Sequence, residues 1–161
     1  MKSAVVVLVI AAVLLGVPAQ QASAAHTCKP VVGHFEARVV PSTEGCTAAL
    51  CTTGRVWGGI QGRYDFVVTA LEPSAPHGGW PSVVFFTGES TIHLKSGDEL
   101  LGTDTGSIDL PPSGLGGFAS LITFHGGTGA MTDATGQIRL RGELDDTGTT
   151  SGDYIGTLCT Q

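Results

Sequence analysis

The sequence predicts an all-β fold, specifically an eight-stranded antiparallel up-and-down β-barrel. Glycine is the strongest compositional signal, with 24 residues among 161, about twice the share found in an average protein. The glycines follow no G-X-Y period and separate short runs rich in Val, Ile, Thr, Phe and Leu, as in strands joined by tight turns and bulges. No stretch after residue 24 shows a capped helical stripe.

The N-terminal segment predicts an export signal rather than part of the fold. Lys2 precedes an apolar run from Ala4 to Val17, and the segment 22–24, Ala-Ser-Ala, offers the small residues that signal peptidase requires. A membrane anchor is the alternative, but the run is shorter than the ~20 residues of a spanning helix. We expect residues 1–24 to be a signal peptide, residues 25–161 to form one domain, and the protein to be secreted without a membrane anchor.

Eight runs of strand-forming residues follow, each bounded by turn or loop residues. In chain order they are Val31–Val40, Thr53–Gln61, Gly62–Leu71, Ser82–Lys95, Glu99–Asp109, Gly117–Gly126, Thr135–Leu144 and Thr150–Leu158. Every second residue from Tyr64 to Ala70 is apolar, and the seventh run alternates in the same way. A flat sheet with one apolar face has no partner layer in so short a chain, so we expect the sheet to close on itself.

Four cysteines lie after the predicted signal peptide, and an even number in an oxidising compartment predicts two disulfides. In an eight-stranded meander the first strand begins at the rim where the last strand ends. Cys28 and Cys159 hold these two places, so we expect a Cys28–Cys159 bridge across the seam, which leaves Cys46–Cys51 as a short staple. The spacing of Cys46 and Cys51 is not that of a zinc site, and no metal or other cofactor is expected.

The charge balance of the whole chain disfavours polyanionic partners. The chain carries a formal net charge of −6, and the Lys and Arg residues form no run in the sequence. Nucleic acid, heparin-like chains and anionic membranes are therefore poor candidate partners. The oligomeric state is left open.

The C-terminal third carries a glycine pattern that resembles a known family. Residues 126–138 read GGTGAMTDATGQI, residues 152–157 read GDYIGT, and residues 54–64, GRVWGGIQGRY, have the same glycine-punctuated style. In the allene oxide cyclase and dirigent barrel superfamily, a GGTGxxxxATGxI segment joins two late strands and a Gly-x-Tyr-x-Gly strand closes the barrel. The resemblance implies a lumen that holds a small hydrophobic or phenolic molecule. It transfers no catalytic residue, because these glycines specify barrel corners.

Two polar rows are the weak candidates for chemistry, since the familiar nucleophile, P-loop and metalloprotease motifs are absent from the sequence. His34 and Glu36 share one face of the first strand, and Glu89 and His93 share one face of the fourth. Either row is an acid/base candidate if it points into the lumen. Otherwise each row is a solvated outer face, and for the fourth strand Phe86, Gly88, Ser90, Ile92 and Leu94 then face the core.

Four aromatic residues are the candidates for ligand contact. They are Tyr64, Phe66, Trp80 and Tyr154. Core packing is the simpler interpretation for them, whereas Trp80 lies in a Pro- and Gly-rich loop and is either a lid at the barrel mouth or an anchor on its rim. Three functions remain: a small-molecule-binding or steering barrel, which we favour, a cyclase or isomerase acting on a small hydrophobic substrate, and a structural module with a filled core.

Overall fold

The computed structural model describes residues 26–74, 82–110 and 116–161, which contain eight strands and two short 3-10 turns. The strands are β1 (Thr27–Val39), β2 (Cys51–Gly58), β3 (Gly62–Pro73), β4 (Val83–Leu94), β5 (Glu99–Asp109), β6 (Gly116–Gly127), β7 (Thr135–Leu144) and β8 (Thr149–Thr160). The 3-10 turns are Ser42–Glu44 and Gly129–Met131. The predicted signal peptide lies outside the described residues.

The eight strands form a closed antiparallel barrel, which confirms the predicted fold class. Each strand pairs with the next along the chain, and β8 pairs with β1 to close the sheet. The closing pair runs from Thr27 opposite Thr160 to Arg38 opposite Thr149. Its length explains why β1 begins four residues before the predicted strand, because the N-terminal segment finds hydrogen-bond partners on β8. The predicted bounds of β5 and β7 match the observed bounds.

Side chains alternate between the lumen and the outer face, with one departure on β3. Tyr64, Phe66 and Val68 are buried as expected, but Ala70 is exposed. The register between β3 and β4 shifts between Val68 and Ala70, so Thr69 is an extra residue in β3. Such a bulge moves every later side chain to the opposite face. The single apolar face predicted from Tyr64 to Ala70 is therefore wrong at Ala70.

The two ends of the barrel differ. At the closed end, where β1 begins, the loop residues Ile60 and Ala134 are buried and pack with inward side chains such as Ile92 and Leu100. At the other end, which we call the mouth, the connections after β1, β3, β5 and β7 meet, and Leu50 and Ile108 are partly buried. The mouth connections include residues 75–81 and 111–115, which lie outside the described residues. The closed end is thus filled by side chains, and any ligand space lies toward the mouth.

The four cysteines form two disulfides in the pairing that the meander implies. Cys28 and Cys159 are directly opposite one another at the closed end of the β1–β8 seam, and their bridge spans 131 residues of sequence. The second disulfide joins Cys46, in the connection after β1, to Cys51, the first residue of β2. Among the described residues, no helix is long and apolar enough to cross a membrane.

Candidate functional site

A cluster of polar side chains lies inside the barrel, and Asp104 on β5 is its centre. This carboxyl group is only 1% exposed. Its Oδ2 accepts hydrogen bonds from the Tyr64 hydroxyl and the Ser90 hydroxyl, each at 3.1 Å. The other oxygen, Oδ1, has no hydrogen-bond partner within the part of the chain that the structure describes. Buried polar atoms without partners are rare in folded proteins, so this oxygen marks a position of interest.

Glycines on the strands around Asp104 make room for aromatic rings beside it. Gly88 on β4 stands directly opposite Asp104 in the register. A Cβ atom at Gly88 would lie 2.4 Å from the ring of Phe66, and one at Gly106 would lie 2.5 Å from the ring of Phe86. The glycines therefore let two aromatic rings lie against the wall beside the carboxyl.

Burial governs the protonation of this cluster. Desolvation raises the pKa of the Asp104 carboxyl, and the neighbouring hydroxyl groups of Ser120, Tyr64 and Ser90 offset part of that rise. The Ser120 hydroxyl is buried, and among the described residues it too has no hydrogen-bond partner. Desolvation, with the nearby Asp104 charge, holds the pKa of the Tyr64 hydroxyl well above its usual value. Tyr64 is thus a neutral donor, and the Asp104 carboxyl binds a proton at higher pH than an exposed aspartate does.

Four phenylalanines surround the space above Asp104 on the side of the mouth. Phe66 and Phe86 meet edge to face at 5.4 Å, and Phe118 stacks on Phe86 at 6.0 Å and meets Phe35 at 5.9 Å between ring centroids. These distances are typical of favourable aromatic pairs. The rings, with Asp104 and Tyr64 at one side, line an apolar cavity of about 50 Å³ that reaches Leu144 at the mouth.

The volume of this cavity limits what can occupy it. A cavity of about 150 Å³ accommodates benzene in an engineered protein core, whereas the space here is about 50 Å³. The enclosed part therefore takes the leading atoms of a ligand and not a whole ring. The remainder of such a ligand would lie among the partly buried side chains of the mouth, such as Leu50 and Ile108.

Two of the four aromatic residues predicted to contact a ligand line the cavity. Tyr64 and Phe66 line the cavity. Tyr154 does not, because its hydroxyl accepts a hydrogen bond from the Ile60 amide and donates one to the Ile60 carbonyl near the closed end. Trp80 lies outside the described residues.

The two polar rows that were weak catalytic candidates both lie on the outer face of the barrel. Glu89 is exposed and lies 3.6 Å from His125, while His93 contacts Asp65 and Glu99 at 3.0 Å each. The buried residues of β4 are Phe86, Gly88, Ser90 and Ile92, as in the alternative interpretation of that strand, and Leu94 is partly buried.

On β1, Phe35 and Ala37 occupy the inward positions, so His34 and Glu36 point outward. Both are exposed, and His34 pairs with Asp153 on β8. Neither polar row therefore reaches the lumen. Among the described residues, no group of three or more His, Cys, Asp or Glu side chains is arranged to hold a metal ion.

Sequence reasoning missed Asp104, Ser90 and Ser120 as site residues. Asp104 stands in an alternating row of β5 with Leu100, Gly102, Gly106 and Ile108. A lone carboxylate at a position that alternation assigns to the apolar face was the signal available in the sequence.

Comparisons with known proteins assign no family and no function to this chain. No protein-family model and no curated protein matches the chain. Among solved structures, the chain is similar to a pterocarpan synthase dirigent protein at 12% identity, with 86% of this chain and 88% of that chain covered and a TM-score of 0.35. So distant a likeness transfers no function. The barrel is established by the strand pairing described above, and membership in the allene oxide cyclase and dirigent superfamily stays a prediction.

Proposed function

We propose that this protein binds a small apolar or aromatic molecule at the mouth of its barrel and holds it there by one oxygen atom. The observation that carries the proposal is the buried Asp104 carboxyl, which lines a mostly apolar cavity and whose Oδ1 has no hydrogen-bond partner among the described residues. Ligand sites combine apolar walls with a few polar groups that fix orientation. Here the phenylalanines provide the walls, and Asp104 and Tyr64 provide the polar groups.

The ligand chemistry follows from the hydrogen-bonding capacity of the cluster. A protonated Asp104 donates through Oδ1 to a carbonyl, ether or hydroxyl oxygen, because Oδ2 is already engaged by Tyr64 and Ser90. A molecule without such an oxygen leaves the carboxyl unsatisfied and binds more weakly. A phenol or a cyclic ketone fits this description.

The test compares p-cresol with toluene, which differ by one hydroxyl group. In a titration followed by ¹H–¹⁵N correlation spectra, p-cresol should shift the amides around Asp104 and Phe118 at lower concentration than toluene. Leu144→Trp fills the mouth and should remove these shifts, whereas Ile155→Trp on the outer face should preserve them. Equal responses to the two probes, or unchanged shifts in Leu144→Trp, would refute the proposal.

A cyclase or isomerase function is the second candidate, and the same carboxyl favours it. Because burial raises the pKa of Asp104, the group is suited to donate a proton to an epoxide or carbonyl oxygen of a bound substrate. For any substrate that the protein converts, Asp104→Asn should preserve binding and abolish turnover. Turnover that persists in Asp104→Asn would leave binding or steering as the function.

We also propose that the protein works outside the cytoplasm. Two disulfides within one small domain are typical of secreted proteins. Mass spectrometry of the mature protein from its own host tests this, and we expect an N-terminus at Ala25 with no free thiol. Such a sample also allows native mass spectrometry of any co-purifying ligand.

A further inference from the structure

The outer face of the barrel carries a basic groove that the sequence did not reveal. The groove has a volume of about 990 Å³ and crosses β1 to β4. Six of its lining side chains carry the argument below, and they are Arg38, Arg55, Trp57, Arg63, His93 and Lys95. Four of the eight Lys and Arg residues of the chain are in this set. They are scattered in the sequence, and the strand pairing brings them together.

The centre of the groove places like charges side by side. Arg55 on β2 is directly opposite Arg63 on β3. Like charges directly opposite one another destabilise a sheet. Asp65 relieves Arg63 at 2.8 Å, but the same carboxylate also contacts His93 and accepts a hydrogen bond from Thr53. Glu36 on β1 also lines the groove and is directly opposite Arg55. The groove lining therefore carries four Lys and Arg side chains and one carboxylate, with Asp65 beside it.

Two cations of the groove have no carboxylate partner among the described residues. Arg38 is paired with Glu44 at 2.7 Å. No described acidic side chain reaches ion-pair distance of Arg55 or of Lys95. Lys95 is held in place by a 2.9 Å hydrogen bond from its ammonium group to Gln61. Lys95, which Gln61 holds, and Arg55, which is beyond ion-pair distance of Glu36, are thus the two cations available to an external anion.

Trp57 adds a flat apolar surface to these charges. It follows Arg55 by two residues on the same face of β2, and 43% of its surface is exposed. The centroid of its indole lies 5.9 Å from that of the His34 ring. An exposed indole beside cationic and hydrogen-bonding side chains suits a ligand with one apolar ring face and a polar perimeter.

We propose that the basic groove binds short stretches of acidic polysaccharide, with uronate carboxylates on Arg55 and Lys95 and a sugar ring stacked on Trp57. Sugar rings expose C–H groups on their faces and hydroxyl groups at their edges, which suits a groove that combines an indole with the polar side chains of Gln61, Arg63 and His93. Single-stranded nucleic acid fits less well, because it stacks successive bases on several aromatic side chains, and this groove has one indole. The site is independent of the lumen and of the function proposed for it.

Calorimetric titration of the disulfide-bonded protein with trigalacturonate tests the proposal. The fully methyl-esterified trisaccharide is the control ligand, since it keeps the rings and loses the charges. We expect trigalacturonate to bind with a Kd below about 1 mM and the ester to bind at least about tenfold more weakly, because hydrogen bonds between charged groups are lost.

Matched variants locate the binding to the groove. The double change Arg55→Gln with Lys95→Gln should weaken trigalacturonate binding at least about tenfold, and Trp57→Ala should weaken it for both ligands. Arg139→Gln with Arg141→Gln removes the same charge from exposed positions on β7 and should leave binding unchanged. The p-cresol response of the lumen should be the same in all of these variants.

Several outcomes would overturn the assignment. They are no detectable binding of trigalacturonate, equal binding of the methyl ester, or equal losses in the two double variants. Tighter binding of an oligothymidylate would identify a nucleic-acid groove instead. A concentration-dependent dimer that the Arg55 and Lys95 changes disrupt would show that a second copy of the chain occupies the surface.

Discussion

Replacing Tyr154 by Phe removes one pair of hydrogen bonds at the closed end of the barrel. The Tyr154 hydroxyl accepts from the Ile60 amide at 2.7 Å and donates to the Ile60 carbonyl at 3.1 Å. Ile60 is 3% exposed and Tyr154 is 2% exposed, so water does not reach either group. Phe keeps the ring and removes the one atom that satisfies both backbone groups.

The expected loss follows from the number of groups left without partners. Each buried polar group that loses its partner costs about 1–3 kcal/mol, so we expect Tyr154→Phe to lower the free energy of unfolding by about 2–4 kcal/mol. That is a large share of the 5–15 kcal/mol by which a typical domain is stable. Tyr64→Phe is the control, because Asp104 keeps its bond from Ser90, and it should cost about 1 kcal/mol.

Urea unfolding of the disulfide-bonded protein, followed by circular dichroism, measures both variants. The midpoint should fall while the slope of free energy against urea stays the same, since the barrel and its buried area are unchanged. A loss for Tyr154→Phe no larger than that for Tyr64→Phe would refute the reasoning that the hydroxyl satisfies the buried Ile60 backbone.

Two further predictions concern pH and the disulfides. Burial raises the pKa of Asp104 above its ordinary value of 3.8. The folded protein therefore keeps the Asp104 proton to higher pH than the unfolded chain does. As the pH rises from 3.8 to the pKa of the folded state, Asp104 lowers the free energy of unfolding. Asp104→Asn should make urea midpoints less dependent on pH over this range, and parallel pH profiles for the two proteins would contradict this. The chain-entropy model assigns about 5 kcal/mol to the Cys28–Cys159 bridge and about 2 kcal/mol to the Cys46–Cys51 bridge. Replacing Cys28 and Cys159 by Ser should therefore lower the urea midpoint more than replacing Cys46 and Cys51. A larger loss for the second pair would show that the bridge at the seam is not the main constraint on the unfolded chain.

The polar rows of β1 and β4 show that the pattern of a single strand does not decide which of its faces points inward. On β1 and β4 the sequence allowed either face to point inward, and the choice depended on which face the neighbouring strands buried. The bulge at Thr69 is a second example, because an extra residue in one strand is visible only against the register of its partner. Asp104 was predictable in principle, since alternation along β5 places it on the inward face.

The sequence by itself determined the all-β class, the eight-strand meander and the cysteine pairing, because these follow from turn residues, alternation and chain order. The tertiary structure decided the two sites. Asp104 meets Tyr64, Ser90 and Ser120 from four different strands, and the basic groove gathers Arg55, Arg63 and Lys95 from three parts of the chain. Such sites arise from cross-strand register and closure, which bring together residues far apart in sequence and are not written in the pattern of any one strand.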